Sequence, residues 1–219
     1  MPGKIESKIY FEVTTTTIPT KIDQIGCDGL YIKGIERVAS IPHTEQQWSF
    51  PVGNDQYPPE IWYAAVVHDL TGAKNNGYKH TGIDLNLDDP PYGDIERHKG
   101  LAVYAIADGQ VTFVDESWSG VPMIVIRHEH EGKPLWVRYA HIVPTVILSQ
   151  YVKAGQTLGG FADWGHSPTK GDHLHFDMAT EPFTTEWLNK QRVINWVNPV
   201  DILKQHLDPA RVDAMLKKR

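Results

Sequence analysis

The sequence predicts a β-rich globular domain in which most strands are antiparallel. Short apolar runs recur along the 219-residue chain, and turn-forming pairs such as Asp108-Gly109 and Glu131-Gly132 separate them. No long helical period interrupts these runs, and antiparallel strands need only short connections. Hydrophobic residues make up 41% of the chain, which is enough for a substantial core.

The first 45 residues are expected to form an N-terminal arm of unknown role, packed on the main domain. Ile9, Phe11 and Val13 alternate with polar neighbours, as in a strand. A segment of this length rarely folds alone without a disulfide or a metal. Cys27 is the only cysteine, so an internal disulfide is excluded, and a small half-buried residue is its expected role.

The main domain is expected to span residues 46–205. Two pairs of apolar runs predict hairpins. They are 101–106 with 111–114 around Asp108-Gly109, and 123–128 with 135–141 around Glu131 to Pro134. In the last run, the alternation of Leu135, Val137, Tyr139 and His141 predicts that these side chains share one face.

Residues 206–219 are expected to form a C-terminal helical tail. Asp208 is a favourable cap, and Pro209 suits the first turn of a helix. Lys217, Lys218 and Arg219 would lie at the negative end of the helix dipole. The tail is expected to contribute packing only.

Composition excludes several functional classes. A net charge of −6 and a pI near 6.0 argue against a nucleic-acid-binding protein, which would present a basic face. No apolar run approaches the roughly 18 residues of a transmembrane helix. The first residues, Met1 to Lys8, show no apolar segment of a signal peptide.

Two short strings predict a catalytic zinc site. In an extended chain, His80 and Asp84 share a face, and so do the two histidines of His173-Leu174-His175. Two histidines and a carboxylate fill three tetrahedral positions and leave the fourth for water, as in zinc hydrolases. His128 and His130 also share a strand face and could bind a metal, but their place at a hairpin end favours a solvated turn.

These strings form part of a longer ordered pattern. The five strings are His80-Thr81-Gly82-Ile83-Asp84, Ala105-Ile106-Ala107-Asp108-Gly109-Gln110-Val111, Tyr139-Ala140-His141, Val152-Lys153-Ala154-Gly155-Gln156-Thr157-Leu158-Gly159 and His173-Leu174-His175-Phe176. Together they resemble the signature of the lysostaphin/LytM-type zinc endopeptidases, which cut peptide bonds in bacterial cell-wall peptidoglycan. The resemblance runs from about Lys79 to Met178, slightly under half of the chain.

The resemblance implies an all-β, mainly antiparallel peptidase core and specific roles for the histidines. It implies one Zn²⁺ per chain, held by His80, Asp84 and His175, with His141 and His173 as catalytic groups that transfer protons and stabilise the oxyanion. Histidine suits proton transfer because its pKa lies near working pH. The alternative base, the glutamate of H-E-x-x-H, is absent because Gly132 follows His128-Glu129 where the second histidine would stand. The implied substrates are peptidoglycan cross-link peptides, and the implied location is extracytoplasmic, either periplasmic or secreted.

The sequence departs from the family pattern at three places, of which Ala102, in place of a proline, changes little. The segment between Asp84 and Gly100 is longer than usual, and we expect a surface loop that rims the cleft and affects specificity. Asp172 stands where the family has proline, and it could orient His173. Tyr78 and His166 are weaker candidates for contacts with the oxyanion and the substrate.

Two other functions are compatible with parts of the pattern. Ala107-Asp108-Gly109 and Val152 to Gln156 also resemble biotinyl or lipoyl carrier domains, but the chain has no Met-Lys dipeptide. A non-catalytic LytM-like module that regulates another wall hydrolase is the better alternative. Such modules typically lack zinc ligands, whereas all three are present here, which favours an active zinc metalloendopeptidase.

Overall fold

The structure is a computed structural model of the chain, and it describes residues 24–26, 29–31, 46–77, 79–87, 100–115, 122–162, 173–182 and 195–216. The chain divides into two compact units, Met1–Glu45 and Gln46–Arg219. In the first unit, β1 (Gln24–Gly26) and β2 (Gly29–Tyr31) form an antiparallel pair. The expected strand near Ile9 and the environment of Cys27 lie outside the described residues, and the domain boundaries drawn from the sequence stay a prediction.

The second unit contains a large and a small antiparallel sheet. The large sheet comprises β3 (Trp62–Val66), β4 (Gly82–Leu87), β6 (Gly109–Asp115), β7 (Met123–His130), β8 (Lys133–Ala140), β10 (Tyr151–Val152), β12 (Leu174–Ala179) and β13 (Trp196–Val197). Its strand order is β10-β6-β7-β8-β12-β4-β3, and β13 also pairs with β12. The small sheet comprises β5 (Ala102–Tyr104), β9 (Ile142–Pro144) and β11 (Thr157–Phe161), in the order β5-β11-β9. The predicted mainly antiparallel β fold is confirmed.

The central strands of the large sheet have two different faces. Ile83, Tyr139 and Phe176 are fully buried in the main hydrophobic core. Their neighbours Asp84 and His175 project from the opposite face because side chains alternate along a strand. One face therefore supplies the core, and the other presents polar side chains.

One predicted hairpin is confirmed and the other is wrong. Strands β7 and β8 pair around a two-residue turn in which Glu131 and Gly132 both have positive φ, as a type I′ turn requires. Around Asp108-Gly109, however, β5 pairs with β11 in the small sheet, and β6 pairs with β7 in the large one. A Cβ at Gly109 would lie 2.6 Å from His128 Nδ1, so this glycine makes room for a side chain rather than forming a hairpin turn.

The chain ends in two short helices, α1 (Pro199–His206) and α2 (Pro209–Leu216). Asp208 Oδ1 accepts a hydrogen bond from the Ala210 amide at 2.9 Å, so the predicted cap is confirmed. The sequence analysis missed α1, although Asn198 before Pro199 is also a favourable start, and Asn198 caps it. Residues 217–219 lie outside the described part. Among the described residues, no helix has the length and apolar character needed to cross a membrane.

Candidate metal centre

Two of the expected ligands face each other across neighbouring strands. Asp84 in β4 and His175 in β12 are register partners, so their side chains leave the sheet side by side. His80 precedes β4 and forms an isolated antiparallel bridge with Asp69. The structure therefore brings together the three residues that the sequence resemblance assigned to the metal.

The ligand atoms of these residues converge on one point. Asp84 Oδ1 lies 3.1 Å from His80 Nε2 and 2.9 Å from His175 Nδ1, and the two nitrogens are 3.0 Å apart. A tetrahedral zinc with bonds of about 2.0–2.2 Å places its ligand atoms roughly 3.3 Å apart. Small adjustments of these side chains would accommodate the ion. Among the described residues, this is the one group of three or more potential ligand side chains.

The protonation of the site suits a cation. Burial raises the pKa of Asp84, but the close contacts with the His175 and His80 imidazoles outweigh it and hold that pKa well below its usual range. The Gly82 carbonyl accepts a hydrogen bond from His80 Nδ1 at 2.8 Å, which leaves the lone pair of Nε2 directed at the site. The site thus offers an anionic oxygen and a correctly oriented imidazole.

The glycine of the string His80 to Asp84, Gly82, is required by the close approach of two strands. It lies opposite Asp177 in the β4–β12 pairing. A Cβ at this position would lie 2.2 Å from the Phe176 carbonyl oxygen and 2.4 Å from Asp177 Cβ. Only glycine allows the two strands to approach closely enough to hold Asp84 beside His175.

Asp69 anchors the strand start that carries His80, and the sequence analysis missed it. The Asp69 and His80 backbones exchange two hydrogen bonds of 2.8 and 2.9 Å. The carboxylate of Asp69 accepts bonds from the amides of Thr71, Gly72 and Lys74 and from the Thr71 hydroxyl. These bonds keep the pKa of Asp69 well below its usual range, with the Thr71 hydroxyl contributing most. The Asp-x-Thr-Gly string is the local signal for such a turn.

His141 and His173 lie together at the edge of the same site. Their ring centroids are 4.6 Å apart, and His173 Nε2 is 3.7 Å from Asp84 Oδ1. Burial, followed by the neighbouring His173 and His175, lowers the pKa of His141 to about 2, so its ring is neutral at working pH.

The expectation that His141 shares a face with Leu135, Val137 and Tyr139 is wrong. Tyr139 points into the main core and packs against Phe176, with ring centroids 5.3 Å apart. Strand β8 ends at Ala140, and His141 has φ +66°. This left-handed residue breaks the alternation and turns the imidazole toward the metal-site face.

Behind His175 lies a buried ion pair that the sequence analysis also missed. Asp177 Oδ2 is 2.9 Å from His175 Nε2, and Arg138 pairs with the same carboxylate. Arg138 and Asp177 are register partners on β8 and β12. The alternation of His173, His175 and Asp177 along one strand face was the available signal for Asp177.

His128 and His130 lie away from this centre. The solvated turn expected for His128 is wrong, because the ring is buried between the Asp108 carbonyl at 3.0 Å and the Tyr139 hydroxyl at 3.2 Å. His130 is half-buried, 2.9 Å from a ring nitrogen of His206. Other residues that the sequence analysis raised lie outside the described part of the chain, namely Tyr78, Asp172, His166 and the loop within 88–99.

Comparisons with solved structures find similar proteins of low identity. Lysostaphin from Staphylococcus simulans is 23% identical, with 68% of this chain and 52% of that chain covered and a TM-score of 0.49. LytU has the same identity, coverage of 68% and 89%, and a TM-score of 0.49. A zinc-containing peptidase from Vibrio cholerae is 23% identical, with coverage of 60% and 36% and a TM-score of 0.43. This chain thus spans about half the length of lysostaphin.

A sequence comparison gives the family. No curated protein matches the chain. Residues 78–191, slightly more than half of the 219 residues, match the model of peptidase family M23. This region contains His80, Asp84, His141, His173 and His175, and it confirms the resemblance to the lysostaphin/LytM-type peptidases. The chain therefore belongs to peptidase family M23.

Proposed function

We propose that this chain is a zinc-dependent endopeptidase that hydrolyses peptide cross-links of bacterial peptidoglycan. The observation that carries the proposal is the convergence of ligand atoms from His80, Asp84 and His175 within 3.1 Å of one another, in a chain of peptidase family M23. His141 and His173 lie beside these atoms. A non-catalytic module would not need this complete set.

The donor set fits one zinc ion per chain. Two imidazole nitrogens and one carboxylate oxygen are ligands of catalytic zinc, and three protein ligands leave a position open. His80 would bind through Nε2, Asp84 through Oδ1 and His175 through Nδ1. Bound zinc would act as a Lewis acid that acidifies water and polarises the scissile carbonyl.

The two remaining histidines supply the proton transfer that amide hydrolysis needs. The proton of the attacking water has to be accepted, and the departing amine has to be protonated. His141 and His173 lie beside the ligand atoms with ring centroids 4.6 Å apart, close enough to contact the same substrate and to share these two roles. Because both rings lie next to proposed ligands and close to each other, a peptide bond bound there would contact both.

The substrate class follows from the family and from the form of the implied bonds. Cross-links that contain glycine or D-amino acids offer little side-chain bulk, so their recognition depends on the backbone. The long segment between Asp84 and Gly100 carries Asp88, Asp89 and Asp94, and these acidic groups would favour peptides with free amino groups. Action on this polymer places the enzyme outside the cytoplasm.

Digestion of intact, cross-linked peptidoglycan tests the proposal. We expect new amino termini within the peptides and unbroken glycan strands, detected by mass spectrometry. His80→Ala and a chelator-treated sample should both be inactive. New reducing sugar ends, or cleavage at the sugar–peptide amide alone, would contradict the endopeptidase assignment. A protein that binds zinc but cuts none of several wall types would instead be the regulatory module.

A further inference from the structure

Both ring nitrogens of His175, Nδ1 and Nε2, contact polar groups. The proton of the neutral ring can therefore reside on either nitrogen. On the site side, Nδ1 lies 2.9 Å from Asp84 Oδ1. On the inner side, Nε2 lies 2.9 Å from Asp177 Oδ2 and 3.0 Å from an Arg138 guanidinium nitrogen. A neutral imidazole carries one proton, so these contacts compete.

Only one of the two tautomers can bind a metal at the site. If Nε2 carries the proton, it donates to Asp177, and the Nδ1 lone pair faces His80 and Asp84. If Nδ1 carries it, that proton occupies the site and donates to Asp84, while Nε2 accepts from Arg138. Asp177 therefore favours the binding tautomer, whereas Asp84 and Arg138 favour the other.

Asp177 is held firmly in the orientation that this selection requires. Its side chain is fully buried, and Arg138 is 1% exposed. Arg138 Nε donates to Asp177 Oδ1 at 3.0 Å, and the Thr81 hydroxyl donates to Oδ2 at 2.6 Å. The Trp196 ring lies 5.7 Å from the guanidinium carbon. These contacts leave the carboxylate little freedom, so its acceptor stays aimed at His175.

We propose that Asp177 is a positioning residue that keeps the His175 proton on Nε2 and thereby leaves Nδ1 free to bind the metal. Arg138 and Thr81 hold Asp177 in place, and Asp177 in turn prevents Arg138 from capturing Nε2. This inference rests on the proposed zinc function for the identity of the ion. The tautomer itself is a property of the protein without metal.

A purely structural ion pair predicts different results. If Arg138 and Asp177 served only to join β8 to β12, removing either partner would have similar effects on the site. The positioning role predicts an asymmetry. Removing Asp177 should disturb His175, whereas removing Arg138 should leave the Asp177–His175 bond intact, because the Thr81 hydroxyl still donates to Asp177 Oδ2 and keeps it in place. Arg138→Met is thus the matched control for Asp177→Ala.

The tautomer can be read directly in the metal-free protein labelled with ¹⁵N-histidine. Two-bond ¹H–¹⁵N correlation spectra show which ring nitrogen carries the proton, above the pH at which His175 titrates in the same spectra. We expect Nε2–H in the wild type and in Arg138→Met, and Nδ1–H in Asp177→Ala. Nε2–H persisting as the major form in Asp177→Ala would overturn the proposal.

Zinc affinity gives a second readout. Loss of a hydrogen-bond partner of a ligating histidine typically costs 10–100-fold in metal affinity. We expect a weakening of about 10–100-fold for Asp177→Ala by competition with a chromophoric chelator, and a value near that of the wild type for Arg138→Met. Equal losses in both variants would assign the pair a structural role only.

A double variant keeps the test decisive if Asp177→Ala fails to fold. Replacing a whole buried ion pair by apolar residues is often tolerated, so Asp177→Leu with Arg138→Met should fold. It removes both partners of Nε2, and zinc affinity should again fall about 10–100-fold. Wild-type affinity in this variant would contradict the proposal. Should the wild type itself bind no zinc, the proposed function fails, while the tautomer spectra still decide the role of Asp177.

Discussion

His141 has a backbone conformation that few residues other than glycine adopt. Its φ of +66° costs about 1–3 kcal/mol in residues held in sparsely populated regions. The surrounding hydrogen bonds hold it there, since its amide donates to the Pro122 carbonyl and its carbonyl accepts from Ala162, both at 2.9 Å. This conformation places the His141 imidazole beside the candidate metal ligands, whereas a regular strand would direct the ring into the core.

Substitution should distinguish the two proposed catalytic histidines, His141 and His173, from the proposed metal ligands. We expect His141→Ala and His173→Ala to retain zinc and to lose activity by about 10²–10⁴-fold, the usual contribution of general acid–base groups. Peptide release from peptidoglycan and metal content of the same samples are the two measurements. Loss of zinc in His173→Ala would mean that His173 and His175 have exchanged roles.

The three proposed ligands should behave in the opposite way. His80→Ala, Asp84→Ala and His175→Ala each remove one of three metal bonds, so zinc should be lost on dialysis against a weak chelator. Metal analysis by mass spectrometry checks this, with His130→Ala as a control histidine outside the site. Full zinc content in the His80 and Asp84 variants would refute the assignment.

His128 should make folding stability sensitive to acid. Burial lowers the pKa of His128 to about 4, while an unfolded histidine titrates near 6.5. Between these values the unfolded chain binds the extra proton, so stability falls as the pH decreases from about 6.5 to 4, by roughly 3 kcal/mol from this group alone. Above pH 6.5 the effect is absent.

Urea unfolding at several pH values tests this expectation. His128→Gln preserves hydrogen-bonding capacity near the Tyr139 hydroxyl and the Asp108 carbonyl but does not titrate. The free energy of unfolding should therefore fall less steeply with acid in the variant than in the wild type. Parallel curves would show that His128 does not cause the acid sensitivity.

Among the elements, β12 organises the centre. One face of this strand carries His173, His175 and Asp177, and β4, β8 and β13 pair along its edges. Every side chain from Leu174 to Ala179 is buried. The candidate metal site thus includes residues of a buried strand that is paired along both edges, which favours precise ligand geometry.

The close pairing of β4 and β12 depends on Gly82. Gly82→Ala would place a Cβ 2.2 Å from the Phe176 carbonyl oxygen, so the strands must separate or shift. We expect a loss of at least about 2 kcal/mol in stability, as for overpacked cores, together with weaker zinc binding. Thermal unfolding and zinc titration are the measurements.

Gly77→Ala is the matched control for this change. Nothing lies within 4 Å of a Cβ at Gly77, and only its φ of +90° opposes the substitution. A backbone cost of roughly 1 kcal/mol is expected there, with zinc affinity unchanged. Equal zinc affinity in the Gly82→Ala variant and the wild type would contradict the role given to the β4–β12 spacing.

The sequence predicted those features that depend on local patterns. The β fold, the β7–β8 hairpin and the cap at Asp208 follow from alternation and turn chemistry over a few residues. The ion pair of Arg138 with Asp177 did not, because its partners lie 39 positions apart and meet only through strand pairing. The hairpin predicted at Asp108-Gly109 was wrong for the same reason. Gly109 is needed because the His128 side chain of the neighbouring strand occupies the space of a Cβ.

At the scale of the whole molecule, Gln46–Arg219 forms one unit with a large apolar core and a polar site on one sheet face. The proposed zinc would join His80 and Asp84, in the first half of this unit, to His175, in its second half. A ligand that binds only the folded form stabilises it, by about 4 kcal/mol when free ligand is 1,000-fold above Kd. Zinc should therefore contribute to global stability as well as to chemistry.

Removal of the metal tests this contribution. We expect treatment with EDTA to lower the unfolding temperature and added Zn²⁺ to restore it, as followed by calorimetry. The Asp84→Ala variant should show the low temperature in both conditions. Identical unfolding temperatures with and without metal in the wild type would indicate that the ion does not bind the folded unit.

The distance between the ligands along the chain has a consequence for biosynthesis. His80 and His175 are separated by 95 positions, and β12 inserts between β8 and β4. At about 5–20 residues per second, the ribosome produces His175 roughly 5–20 s after His80. The ligand set cannot be completed until β12 has been translated and has docked between β8 and β4. A chain that ends before His175 therefore lacks one of the three proposed ligands, so the full ligand set forms only late in synthesis.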